Sequence, residues 1–118
     1  MQILIVESNP DLAEVWKRHL ERLRFEVSVA GSQSQAIALL RGDAPSVIVL
    51  NLFLDEGSAI AVADFASYRH PAAKVVFVTR SSFFSDGSIF NLVPNACGFF
   101  PERTPPEDLA EIVAHFGG

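Results

Sequence analysis

Five short apolar runs punctuate the chain, and between them the apolar positions recur at helical spacing. Gln2 to Val6, QILIV, is rich in branched residues and suits a strand covered on both faces. Glu7 to Pro10 breaks that run. From Asp11 to Arg24 the spacing turns helical, with Leu12, Trp16, Leu20 and Leu23 on one side and Glu14, Lys17, Arg18 and Glu21 on the other. Phe25 to Val29 alternates like a second strand. A second helix is bracketed by Ser32 as N-cap, Gln35 three residues on to close a capping box, a stripe at Ala36, Leu39 and Leu40, and Gly42 as its stop. Ser46 to Leu50 is a third strand.

Ser58 to Tyr68 predicts an alanine-rich third helix whose Ala59, Ile60 and Ala63 can approach a sheet closely, ended by His70 and Pro71. Lys74 to Thr79 is a fourth strand. Arg80 to Val93 is ambiguous, with a turn at Ser85, Asp86 and Gly87 and a short or irregular helix around Ile89, Phe90, Leu92 and Val93. Asn95 to Phe100 makes a fifth short strand. The last helix is predicted to start with Thr104 as N-cap, Pro105 at the first helical position and Glu107 three residues after the cap, and to bury Leu109, Ile112, Val113 and Phe116. Strands and helices alternating in this way imply a doubly wound α/β domain, a parallel sheet joined by right-handed crossovers with helices on both faces. Ligands of such sheets gather at the carboxyl ends of the strands, near the point where strand order reverses. The positions to watch are therefore Glu7, Ser8, Asn51, Thr79, Arg80 and Glu102.

Length and composition narrow the picture without changing it. At 118 residues, 49% apolar and 19% charged, the chain suits one domain, residues 1–118, around one core. A net charge of -5, with nine Lys and Arg, provides no basic stripe for a phosphate backbone, which argues against direct nucleic-acid binding. Arg18, Arg22 and Arg24 cluster near one helix end, as a solvated face or as a docking patch. The one cysteine, Cys97, excludes an internal disulfide, and His19, His70 and His115 lack ligand spacing. No stretch approaches the roughly 20 apolar residues of a membrane span, so a cytoplasmic location is the default expectation. Glu7, Ser8, Asn9 and Pro10 form no glycine-rich phosphate loop, and no histidine stands by to activate Ser8 or Thr79. Neither an enzyme nor a resident metal or cofactor is expected.

The stretches ILIVESNPDL (Ile3 to Leu12), SVIVLNLFLDEGSA (Ser46 to Ala59), KVVFVTR (Lys74 to Arg80) and NACGFFPERTPPEDL (Asn95 to Leu109) resemble the receiver domain of bacterial two-component response regulators over nearly the whole chain. That resemblance implies a flavodoxin-like five-stranded sheet in the order 2-1-3-4-5. It also implies a phosphoryl acceptor aspartate at the end of the third strand, where this chain has Asn51, whose amide is a poor nucleophile. Of the family's two acidic Mg²⁺-binding positions after the first strand, the chain keeps Glu7 and has Ser8 for the other, which weakens charge-based binding of a hard cation. The family's lysine after the fifth strand falls at Glu102, an anion where phosphate would want a cation. Thr79 retains the family's hydroxyl, but the usually small residue after it is Arg80. Its guanidinium could reach Glu7, Asp55 or Glu102, could occupy the phosphoryl pocket, or could stay exposed. The family's lysine precedes a proline, commonly through a cis peptide; Glu102 and Arg103 replace the pair, and a trans bond is expected.

Together these departures suggest a degenerate receiver, or pseudo-receiver, that acts by binding another protein without aspartyl phosphorylation. The alternative is a regulator with residual Mg²⁺-dependent phosphoacceptor or small-ligand-binding activity in the same crevice. The family resemblance implies docking or dimerisation through the fourth helix, fifth strand and fifth helix. Phe83, Phe84, Phe90 and Phe99 fall there as switch or interface candidates, and Phe99 and Phe100 must point to opposite faces of their strand. A histidine kinase, a regulator, an output protein or a second copy of the chain is the expected partner.

Overall fold

A computed structural model describes residues 1–80 and 94–117. The ambiguous stretch after Arg80, with Phe83, Phe84 and Phe90, lies outside the described residues. In chain order the elements are β1 (Gln2–Val6), α1 (Pro10–Arg22), β2 (Glu26–Ala30), α2 (Gln33–Gly42), β3 (Val47–Asn51), α3 (Ala59–Arg69), β4 (Lys74–Thr79), β5 (Ala96–Pro101) and α4 (Pro106–Gly117). The strands form one parallel sheet in the order β2-β1-β3-β4-β5. Strand order therefore reverses beside β1, so the ligand crevice of such sheets is expected where β1 and β3 end.

Burial explains the strands. Every residue of β3 is buried and β4 is buried from Val75 onward, as expected for central strands covered on both faces. Leu4, Val6, Ile48, Leu50, Val75 and Phe77 pack on one face against Ala36 and Leu40 of α2 and Val62, Ala63 and Ala66 of α3. Ile3, Ile5, Val47, Val49, Val76 and Val78 pack on the other against Trp16 and Leu20 of α1 and Leu109 and Val113 of α4. The alternation of odd and even positions along each strand thus feeds two separate layers of core.

Several expected boundaries move by a residue or two. Helix α1 begins at Pro10 because the Asn9 side chain accepts from the N–H groups of Asp11 and Leu12, a capping signal the periodicity overlooked. It ends at Arg22, and Leu23, expected on the buried side, caps the helix at 41% exposure, with Ala13 buried in the stripe instead. Ser32 caps α2 as expected, but Gln35 reaches past it to accept from the Gly31 N–H at 2.7 Å. Gly42 remains inside α2, and Asp43 follows it in extended conformation. Thr104 does not cap α4. Its hydroxyl donates to the Pro101 carbonyl at 2.7 Å, the Pro105 carbonyl accepts the first helical bond from Leu109, and Pro106 opens the helix. One register shift between Val75 and Val76 leaves Cys97 as the extra residue of β5 and sets Phe99 opposite Phe77 and Phe100 opposite Val78. No cis peptide occurs among the described residues, Glu102 and Arg103 included.

Candidate functional site

The crevice expected at the carboxyl ends of β1, β3, β4 and β5 is where the strands deliver a set of polar side chains. Glu7 follows β1, Asn51 ends β3, Thr79 ends β4 and Glu102 follows β5. Glu7, Asn51 and Thr79 are each only 3% exposed, the deepest polar residues among those described. The parallel register alone aligns the strand ends, since Val6 lies beside Leu50 and Asn51 beside Val78.

Asn51 sits at the centre. Its Nδ2 donates to Glu7 Oε1 at 2.6 Å and to Glu102 Oε2 at 3.3 Å, while its Oδ1 accepts from the Phe53 N–H at 2.9 Å. The opposite amide orientation would set an oxygen against two carboxylates and an NH₂ against a backbone N–H, so this hydrogen-bond set fixes which way the amide points. Glu7 Oε2 also accepts from the Asn9 N–H at 3.1 Å. Burial pushes the Glu7 carboxyl above its ordinary range; the hydrogen bonds from Asn51 and Asn9 oppose that rise, and the charge of Glu102 adds to it. The Glu102 N–H donates to the Thr79 carbonyl at 2.6 Å, which carries its side chain back over the end of β3.

Ser8 and Arg80 take roles that their sequence positions did not reveal. The Ser8 hydroxyl donates to the Gly31 carbonyl at 2.8 Å and accepts from the Asp55 N–H at 2.9 Å, joining the loops that follow β1, β2 and β3. Arg80 is exposed, and its Cζ lies 5.5 Å from the centre of the Phe53 ring. Of the alternatives open to Arg80, the structure places it outside the crevice. Among the described residues the ion pairs are Arg18 with Glu14 and His19 with Glu107, so Arg80 pairs with none of Glu7, Asp55 and Glu102. The Asp55 side chain is exposed beyond the rim. Phe53, which the sequence reading passed over, thus touches the site twice, through its N–H and its ring. Its only advance signal was an aromatic residue two positions beyond a strand end.

Phe99 is half-buried and packs with the α2 and α3 layer, its ring centre 6.2 Å from that of Phe77. Phe100 packs on the opposite face beside α1 and α4, as the strand period required. The donor set does not fit a hard divalent cation. Asn51 presents N–H groups toward both carboxylates, its oxygen is taken by Phe53, and the Ser8 hydroxyl is spent on two backbone groups. Among the described residues no group of three or more His, Cys, Asp or Glu is placed to hold a metal ion, and no helix is long and apolar enough to cross a membrane.

A family described as the response regulator receiver domain matches residues 3–114. Among curated proteins, the probable transcriptional regulatory protein TcrX of Mycobacterium tuberculosis is 30% identical over 84 residues, 71% of this chain and 36% of that protein. The response regulator protein PilR of Pseudomonas aeruginosa is 26% identical over 110 residues, 92% of this chain and 24% of that protein. The chain therefore spans about a quarter to two fifths of the curated relatives it matches. A CheY-like receiver domain protein from Methanospirillum hungatei superposes with a TM-score of 0.88 at 20% identity, covering 98% of this chain and 92% of that one. The non-phosphorylated HemR receiver domain from Leptospira biflexa gives 0.86 at 24% identity, covering 99% and 94%. At these identities the structural matches speak to the fold.

Proposed function

The chain belongs to the response regulator receiver domain family, and on that premise we propose that it is a signalling module that acts by binding a protein partner, without phosphorylation at the end of β3. The observation that carries this reading is the Asn51 side chain, buried and fixed by three hydrogen bonds with its NH₂ between two carboxylates. An amide so held offers no carboxylate to attack phosphorus. The two anions around it would repel an incoming phosphoryl group, and the Arg80 guanidinium lies over the Phe53 ring. Asn51 thus stands in the place of the family's acceptor, and Ser8 and Glu102 in the places of its second acid and its lysine. The domain is a degenerate receiver in this reading, and conformational or partner binding energy, in place of phosphate, sets its state.

The partner is a histidine kinase, a regulator, an output protein or a second copy of the chain. Docking runs through the surface around β5 and α4, where Phe99 supplies an aromatic already packed half-way into the core. Incubation with acetyl phosphate and Mg²⁺ should leave the intact mass unchanged, and an added phosphoryl group at Asn51 or Asp55 would overturn the reading. Asn51→Asp should not restore efficient labelling, because Ser8 and Glu102 remain; rapid labelling of that variant would contradict the account.

A further inference from the structure

The segment between β3 and α3, residues 52–58, is held at almost every turn by groups outside it. The Leu52 N–H donates to the Val78 carbonyl at 2.8 Å and the Phe53 N–H to Asn51 Oδ1 at 2.9 Å. The Asp55 N–H donates to Ser8 Oγ at 2.9 Å, and the Ser58 N–H to Gln33 Oε1 at 2.7 Å. The Glu56 carbonyl accepts from the Gln33 N–H at 3.2 Å. Gly57 turns with φ +89°, a left-handed conformation that lets the loop close on α2, and a Cβ there would collide with the Gln33 side chain. Each of these ties joins neutral donors to neutral acceptors. Their strength therefore does not depend on a cation or on ionic strength in the way an ion pair would.

We propose that Ser8 is the positioning residue of a hydrogen-bonded strap that holds the β3–α3 loop in one arrangement with no cation in the crevice. This rests on the reading of the site as one that takes no phosphoryl group, and it specifies how that site is kept in a single state. A serine hydroxyl accepts and donates at once, and here it does both, taking the Asp55 N–H and giving its proton to the Gly31 carbonyl. An ionised carboxylate at the same position could accept from Asp55 but could not donate to Gly31, and it would stand next to Glu7 in sequence as another negative charge. Metal binding through an acid at position 8 and fastening of the strap through a hydroxyl are thus alternative uses of one position. Gly31 is itself fixed by Gln35 through its N–H, so the far end of the strap is anchored to α2.

Amide hydrogen exchange on the full chain, read residue by residue by NMR, tests this. Protection at Phe53, Asp55 and Ser58 should be the same in EDTA and in millimolar Mg²⁺. Ser8→Ala should lower protection of the Asp55 N–H by roughly fivefold, the loss expected for one net hydrogen bond, and Ser8→Thr, which keeps the hydroxyl, should retain it. Equal Asp55 exchange in the wild type and Ser8→Ala, or a rise in wild-type protection on adding Mg²⁺, would overturn the strap. The failure of the site reading is separate: a phosphoryl group seen by intact mass while Ser8-dependent protection persists would count for the strap and against the absence of phosphotransfer.

Discussion

At the amino end of the sheet Arg69 donates to the Arg41 carbonyl at 2.7 Å, His70 Nε2 lies 2.6 Å from the Leu40 carbonyl, and Lys74 Nζ donates to the Phe116 carbonyl at 2.9 Å. At the carboxyl end, Glu7 and Glu102 flank the Asn51 amide. Both ends obey the helix dipoles, since α2, α3 and α4 terminate at the first and begin at the second, so cations suit one and anions the other. They differ in cost. The basic groups satisfy carbonyls in exposed or half-buried positions, whereas Glu7 is buried beside a second carboxylate with only amide and backbone N–H donors. One end is ordinary helix termination; the other stores unfavourable electrostatics, which is how receptive sites are recognised.

The largest test of that contrast is Asn51→Leu, which leaves two carboxylates facing one another without their shared donor. A loss of about 2–3 kcal/mol is expected in urea unfolding, because removing one partner strands buried charged acceptors. A loss below about 1 kcal/mol would put the crevice on a par with the basic end. His70→Ala comes next, at about 1 kcal/mol, since it frees the Leu40 carbonyl of α2 in a half-buried setting. Lys74→Met should cost less, about 0.5 kcal/mol, and its effect should shrink in high salt, which the Asn51 substitution should not.

A pH titration sharpens the contrast further. The Glu7 carboxyl is raised in the folded state, so the folded chain binds this proton more readily than the unfolded one. Its contribution to stability is therefore greatest below the ordinary value of 4.5 and is lost as pH climbs through the raised folded value. Glu7→Gln, which keeps an oxygen for Asn51, should flatten that part of the stability profile; an unchanged slope would remove Glu7 as its source. The last test concerns the rim. Arg80→Ala and Phe53→Ala should couple by about 0.5–1 kcal/mol in a double-mutant cycle, the range of an exposed cation–π contact. Additive losses would reduce the stack to mere proximity.

Much of this was legible in the chain. Branched apolar runs declared β1, β3 and β4, because a strand buried on both faces leaves no room for polar residues, and Lys74–Thr79 matches its expected limits residue for residue. Helix ends were less legible. Thr104, expected to cap α4 with Pro105 as its first residue, gives its hydroxyl to Pro101 while α4 opens at Pro106, and Leu23 left the buried stripe because α1 stopped at Arg22. Propensity ranks cap residues but does not say which neighbouring carbonyl will compete for them.

The sequence by itself determined the alternation of layers and the polar residues that arrive at the strand ends, since these follow from local periodicity and spacing, and its four motif stretches carried the resemblance to the receiver family. Only the tertiary structure decided what those residues do. Asn51 meets Glu7 and Glu102 across separations of 44 and 51 residues, and Ser8 meets Asp55 across 47. The direction of an amide, the second partner of a hydroxyl and the turning of Arg80 onto Phe53 depend on which donors and acceptors the parallel register brings within 3 Å or so. Side-chain pattern along one strand carries no information about that meeting.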